Sequence, residues 1–237
     1  MKPYYQNELT TIYNADCLDV LKDMKDNSVD LILTDPPYLI NYKTNYRKYK
    51  DKYQHEIKND DIKDFEMIEK FLELSYKKLK NNTILALFCS FDYIEKFKTK
   101  MQDVGFNIKN VVIWNKGNWT AGDLQAQLGK QYEMILIGHK GRCKFKNDYR
   151  FSDIWYEPRV PSEKSVHQNE KPLNLTQRII EIYTNKGDIV LDAFAGSFTT
   201  CIASEQLERK SIGIELEQKY CDIGIKRLSN LQTKLDI

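Results

Sequence analysis

A mostly apolar run, Val29-Asp30-Leu31-Ile32-Leu33-Thr34, stops at Asp35-Pro36-Pro37-Tyr38. No other stretch restricts the architecture as much. Two successive prolines fix φ, offer no N–H to a sheet ladder and keep Asp35 extended, so the run reads as a strand that ends there and turns. The turn can aim a carboxylate and bare carbonyl oxygens at one spot, with the Tyr38 ring at the rim. That arrangement receives a flat group bearing an NH2, because it supplies acceptors for both amino hydrogens and an aromatic face for stacking. A nucleobase amine has this form. The plainer reading of the same four residues is a rigid turn with a half-buried tyrosine.

A second segment narrows the choice. Asp188-Ile189-Val190-Leu191-Asp192 reads as a buried strand, Ala193-Phe194-Ala195-Gly196-Ser197-Phe198-Thr199-Thr200 as a turn of mostly small residues, and Cys201 to Leu207 as a helix. Gly196 lets backbone approach a ligand closely, and Ser197, Thr199 and Thr200 stand at a helix N-terminus whose free N–H groups attract carboxylate or phosphate. Lys210-Ser211-Ile212-Gly213-Ile214-Glu215 is another short strand, ending in an acid nineteen residues beyond Gly196. An acid at that separation commonly accepts hydrogen bonds from a ribose diol. An ordinary βαβ unit with a polar turn accounts for the same pattern without a ligand.

The rest of the chain alternates in the same way. Strands are expected near 11–14, 29–34, 83–89, 108–114, 132–138, 188–192 and 211–215, and helices over 18–24, 61–79, 93–104, 173–183, 199–207 and 218–231. This alternation predicts one α/β domain over 1–237, with a Rossmann-like, seven-stranded, mostly parallel sheet and helices on both faces. No linker rich in Gly, Ser or Pro and no internal repeat divides it. The stripe Phe65, Ile68, Phe71, Leu72, Leu74 and Leu79 is expected in the core, with Trp114, Trp119 and Trp155 as packing residues. Ligands should collect at the carboxyl ends of the strands, where Asp16, Asp35, Asp192 and Glu215 would converge.

Formal charge is only +2, so bulk electrostatics do not select a polyanionic partner. Distribution is more informative. Over 39–60 the chain carries Lys43, Arg47, Lys48, Lys50 and Lys52 among Tyr42, Tyr46, Tyr49 and Tyr53, the mixture expected of a DNA-facing loop. Arg142, Lys144, Lys146 and Arg150 form a second basic patch. Solvated faces account equally well for such runs. Five cysteines form no CxxC pair, and no apolar run suffices for a signal or a membrane span, so reducing cytoplasm is the expected compartment. The three histidines lack zinc spacing, and no metal is expected.

The two motifs, in the order Asp35-Pro36-Pro37-Tyr38 then Asp192 to Thr200, resemble the β-class DNA amino-methyltransferases over nearly the whole chain. The resemblance implies a catalytic half preceding the cofactor half, S-adenosylmethionine as cofactor, double-stranded DNA as substrate, a possible homodimer and a possible restriction endonuclease partner. It implies catalytic roles for Asp35, Pro36, Pro37 and Tyr38. Asn14-Ala15-Asp16-Cys17 is similar to the segment that meets the adenine ring of the cofactor, which points to Asp16 and Cys17; Asp16 would also serve as a helix cap. His167-Gln168-Asn169-Glu170-Lys171-Pro172 is similar to the segment that wraps the methionine end, which adds His167 and Lys171 to Asp35, Asp192, Phe194, Gly196, Ser197, Thr199, Thr200 and Glu215 as cofactor contacts. Target recognition is implied over 141–166. The chain departs from the family pattern at Ala193, Phe198, Gln168, Asn169 and Glu170, and a bulky ring at 198 is expected to narrow the freedom of the turn.

The chemistry implied is transfer of a methyl group to the N6 amino group of adenine in a flipped base, with N4 of cytosine as the alternative. Aspartate at the head of the tetrapeptide leans toward adenine. A catalytically silent DNA-binding protein on the same fold is the alternative of another class.

Overall fold

The computed structural model describes residues 1–37, 65–120, 125–126, 128–147, 149–161 and 170–235. Tyr38, Lys43, Arg47, Lys48, Lys50, Lys52 and His167 therefore lie outside the described residues. The strands are β1 (Tyr5–Gln6), β2 (Thr10–Asn14), β3 (Val29–Thr34), β4 (Leu79–Cys89), β5 (Asn107–Thr120), β6 (Lys130–Lys140), β7 (Ile154–Tyr156), β8 (Ile189–Asp192) and β9 (Lys210–Glu215). The helices are α1 (Cys17–Asp23), α2 (Phe65–Lys78), α3 (Ile94–Val104), α4 (Leu173–Tyr183), α5 (Thr199–Gln206) and α6 (Gln218–Leu235).

Among the described residues nine strands join one sheet in the order β1-β2-β9-β8-β3-β4-β6-β5-β7. Seven were expected; the two additions, β1 and β7, are edge pieces of two and three residues, too short to carry a periodic signal. From β2 to β4 every pairing is parallel. β6 then runs antiparallel to both β4 and β5, so β5 and its partner β7 regain the direction of β4. The sheet is mostly parallel, as the alternation of elements requires.

Burial follows the two periods of the sequence. Along β3 and β4 successive residues face opposite sides: Ile32, Leu85 and Leu87 join one core cluster, and Leu31, Leu33, Ile84, Ala86 and Phe88 the other. A strand covered on both faces is apolar at nearly every position, which is why 29–34 reads as a run. On α2 the buried positions Ile68, Phe71, Leu72 and Ser75 recur at helical spacing and face α1 and α3. α4 and α5 cover the other face, and α6 packs beside α5 around Ile12, Phe198 and Cys221. Each fully buried leucine, isoleucine or phenylalanine contributes about 1.5–3 kcal/mol. Trp114 and Trp155 are packing residues as expected, whereas Trp119 is 69% exposed.

Among the described residues no helix is long and apolar enough to cross a membrane.

Candidate active site

Because β2, β9, β8 and β3 are parallel neighbours, their carboxyl ends lie side by side: Asn14 opposite Glu215, Asp192 opposite Gly213, and Ile32 opposite Leu191. Asp16, Glu215, Asp192 and Asp35 consequently follow four adjacent strand ends on one edge. Two contacts tie these ends together. The Asn14 Nδ2 donates to the Glu215 and Leu216 carbonyls, each at 3.0 Å, and the Thr34 Oγ1 donates to the Asp192 Oδ1 at 2.7 Å. The Asp-Pro-Pro turn and the glycine turn thus open on the same side, one residue removed from a direct hydrogen bond.

Asp192 is the clasp between them. Besides Thr34, its carboxylate accepts from the Phe194 N–H at 3.2 Å and the Thr200 Oγ1 at 2.6 Å. Burial nevertheless raises its pKa to about 6, outweighing those three donors. Its oxygens are committed inward. Asp192 thereby holds the turn in which it was expected to meet a cofactor.

Gly196 takes a positive φ of 50° and donates its N–H to the Glu215 Oε2 at 2.9 Å, while the Glu217 N–H reaches the other oxygen, Oε1, at 2.8 Å. Burial raises the Glu215 pKa against these two backbone donors. Ser197 and Thr199 meet at 3.3 Å. No side chain caps α5, so the N–H groups of its first turn are available to a ligand carboxylate. Phe194 stands half-buried at the turn, edge-on to Phe71 at 5.1 Å.

Phe198 does not crowd this turn. It adopts φ 61° and ψ 29°, is fully buried, and sends its ring toward Gly213 and Gly224. A Cβ at Gly213 would come within 2.7 Å of the ring and one at Gly224 within 2.3 Å, so the two glycines clear the space it fills. The bulk of the ring points into the core under α6 rather than into the turn.

Asp16 caps α1, accepting from the Leu18 N–H at 2.8 Å, and stays exposed beside the Glu215 strand end. Both readings of Asp16, helix cap and ligand contact, remain compatible. The Cys17 side chain turns into the core, and burial pushes its thiol up to about 12. Cys89 and Cys221 are likewise pushed up to about 12. Such thiols stay protonated and are poor nucleophiles at neutral pH.

Lys171, expected along the cofactor, stands at Asp35. Its Nζ lies 2.7 Å from the Asp35 Oδ2 and 3.0 Å from the Glu133 Oε2, with the Phe88 ring centroid at 4.8 Å. Glu133 in turn pairs with Lys116 at 3.2 Å. Burial alone would pull the Lys171 ammonium down, but the two carboxylates outweigh it and hold its pKa above the ordinary lysine value. Burial would likewise raise Glu133, yet Lys171 and Lys116 keep it below the usual carboxylate range. Neighbouring Glu170 meets Arg227 at 2.7 Å, and Arg227 Nη1 donates to the Ser197 carbonyl at 2.7 Å. The departure at 170 thus anchors its segment to the glycine turn.

Sequence reasoning missed Glu133, Lys116 and Arg227. Glu133 sits just ahead of the apolar stretch Met134–Gly138, where an isolated acid looks like a solvated strand end, and nothing local marks its partner 38 residues away.

The second basic patch is on the wrong edge for direct contact with a base at Asp35. β6 runs against β4, and Lys140 pairs with Thr83 at the amino end of that strand. The Arg142 N–H accordingly bonds Asn82, and the Lys146 N–H bonds the Ile182 carbonyl at the end of α4. Arg142, Lys144 and Lys146 follow the end of β6, which pairs with Thr83, six residues before Cys89 and so about 20 Å from the carboxyl end of β4 at ~3.3 Å per residue, whereas Arg150 leads into β7. Among its described residues, the 141–166 segment reaches the carboxyl edge at β7, whose Trp155 is buried. Exposed aromatic residues stand on the carboxyl edge as well as beside the basic patch, where Phe145 and Tyr149 are exposed: Phe91 after β4, Trp119 and Tyr132 on the β5–β6 ribbon, and Tyr156 at the end of β7.

Comparison with known proteins gives concordant results. The DNA methylase family profile matches residues 29–226. The Type II methyltransferase M.HinfI of Haemophilus influenzae is 31% identical over 260 residues, covering 98% of this chain and 72% of its own. The crystal structure of the M1.HpyAVI–SAM complex superposes with a TM-score of 0.71 at 27% identity, over 93% of this chain and all of that one. PvuII DNA methyltransferase, described as cytosine-N4-specific, has the same fold, with a TM-score of 0.77 at 19% identity over 94% and 88% of the two chains.

Proposed function

Since the chain belongs to the N6/N4 family of DNA methylases, we propose that it transfers a methyl group from S-adenosylmethionine to the N6 amino group of adenine in double-stranded DNA. The observation that carries this reading is the single edge shared by Asp35 and the Gly196 turn, laced by Thr34 and Asp192. The residues present fit the cofactor. Asp16 and Glu215, at adjacent strand ends, offer carboxylates to its adenosine portion, and the uncapped start of α5 beside Gly196 offers N–H groups to its carboxylate. When bound, S-adenosylmethionine supplies an electrophilic methyl group, which the base nitrogen takes while releasing a proton.

The protein's part is to activate and orient that nitrogen. An exocyclic amine shares its lone pair with the ring and attacks poorly. Asp35 and the Pro36 carbonyl accept its hydrogens, and those bonds strengthen as positive charge grows on nitrogen, so the transition state gains more than the ground state. Pro37 keeps the turn rigid. A base inside duplex DNA must flip to reach Asp35, at a cost of a few kcal/mol. The exposed aromatic residues around the same edge, Trp119 among them, support DNA approach from this side. Adenine is favoured by aspartate at the head of the tetrapeptide; N4 of cytosine is the second reading, supported by the fold shared with PvuII methyltransferase.

A silent DNA-binding protein loses its two supports, because Phe198 packs away from the turn and Glu170 braces it. Equilibrium binding of S-adenosylmethionine, followed by tritium transfer to unmethylated bacterial genomic DNA, tests the proposal. Binding with transfer is expected; binding of DNA without either would reinstate the silent reading.

A further inference from the structure

Four charged side chains from four segments meet behind the catalytic turn. Asp35 follows β3, Lys116 lies on β5, Glu133 on β6, and Lys171 precedes α4. Their order in space is Asp35, Lys171, Glu133, Lys116, with contacts of 2.7, 3.0 and 3.2 Å. Charges alternate along the row and sum to zero. The Lys171 side chain is only 11% exposed, Lys116 10%, Glu133 22% and Asp35 21%.

Lysine is an unusual choice for fixing a carboxylate, since its four-carbon stem is flexible and its ammonium has no preferred plane. Here the freedom is removed. Asp35 takes one of its three donors, Glu133 another, and the Phe88 face lies beneath at 4.8 Å, with Trp114 at 5.9 Å. Without Glu133 the ammonium would have one anionic anchor fewer, and Lys116 would stand uncompensated nearby.

We propose that Glu133 is a positioning residue for the reaction: from β6 it holds Lys171, which in turn fixes the orientation and ionised state of Asp35. The inference rests on the function proposed above and deepens it. Asp35 must be a carboxylate, aimed one way, when the amino nitrogen becomes positive. A cation in contact keeps an aspartate ionised to lower pH by about 1–3 pH units. Among the described residues, Cys89 on β4, a buried thiol, and Asp192 at the end of β8 also border Asp35. Lys171 favours the charged form of Asp35, and Glu133 keeps Lys171 in place.

The test is steady-state transfer from tritiated S-adenosylmethionine to unmethylated bacterial genomic DNA by the wild type, Glu133→Gln, Glu133→Asp and Lys171→Met, across pH 5 to 9. Glu133→Gln should lower kcat by about 10-fold to 100-fold, the loss expected of misplaced reacting groups. Its KM for S-adenosylmethionine should stay within about twofold and its thermal midpoint near wild type, with partial recovery in Glu133→Asp. Lys171→Met should move the acid limb of kcat upward by about one pH unit or more, and Glu133→Gln should move it by less, because it loosens Lys171 without removing the cation. Unchanged kcat in Glu133→Gln overturns the inference. So does a raised KM for S-adenosylmethionine with kcat intact, which would assign Lys171 to the cofactor. Should Glu133→Gln fail to fold, Glu133→Asp and the Lys171→Met pH profile decide alone. No transfer by the wild type would sink the functional reading itself; normal wild-type transfer beside an unaffected Glu133→Gln sinks only this inference.

Discussion

Asp192 shows how one residue can serve the site through the fold. It is nearly buried, accepts three hydrogen bonds, and still has a pKa raised to about 6. An unfolded aspartate titrates near 3.9. The folded state therefore binds this proton more tightly, so the stability gained is complete below about pH 4 and is lost as pH rises toward 6. In urea titrations, wild type should lose about 2–3 kcal/mol relative to Asp192→Asn between pH 4 and pH 7. Parallel curves for the two proteins would mean that Asp192 is not strained by burial.

At the scale of elements, the turn from β8 into α5 works because its awkward residue is absorbed elsewhere. Phe198 sits at φ 61°, costly for a bulky side chain, with its ring in space that Gly213 and Gly224 leave clear. Phe198→Ala should cost about 3–5 kcal/mol by denaturant unfolding. Phe198→Gly should cost less, because glycine relieves the backbone. Equal loss in the two variants would contradict the strain. Most elements were legible in the sequence, with 29–34 and 173–183 matching β3 and α4 end to end, since both carry strong apolar periodicity. The direction of Phe198 was not legible, because it depends on two glycines 15 and 26 residues further on. The Asp35–Lys171–Glu133 row was half legible: the motif residues were named, but their pairing is set by strand order, which spacing does not encode.

Across the whole molecule, strand direction decides where DNA can approach. Arg142, Lys144 and Lys146, named with Arg150 as a DNA-binding patch, follow β6, whose antiparallel course carries them toward the amino edge. Trp119, expected in the core, is exposed on the carboxyl edge beside the site. Replacing the four cations together by glutamine should leave kcat/KM for DNA within about threefold, whereas Trp119→Ala should lower it by about 5-fold or more, the scale of one lost stacking contact. The opposite ranking in steady-state assays would place the duplex on the amino edge.

The central claim is that the carboxylate ahead of the twin prolines and the glycine turn bound one methyl-transfer site. Its most direct test is mass-spectrometric nucleoside analysis of unmethylated bacterial DNA incubated with S-adenosylmethionine and either wild-type protein or Asp35→Ala. The account predicts N6-methyladenine with the wild type and none with Asp35→Ala, although the variant still folds and binds S-adenosylmethionine. Methylated DNA from Asp35→Ala at the wild-type rate would contradict it.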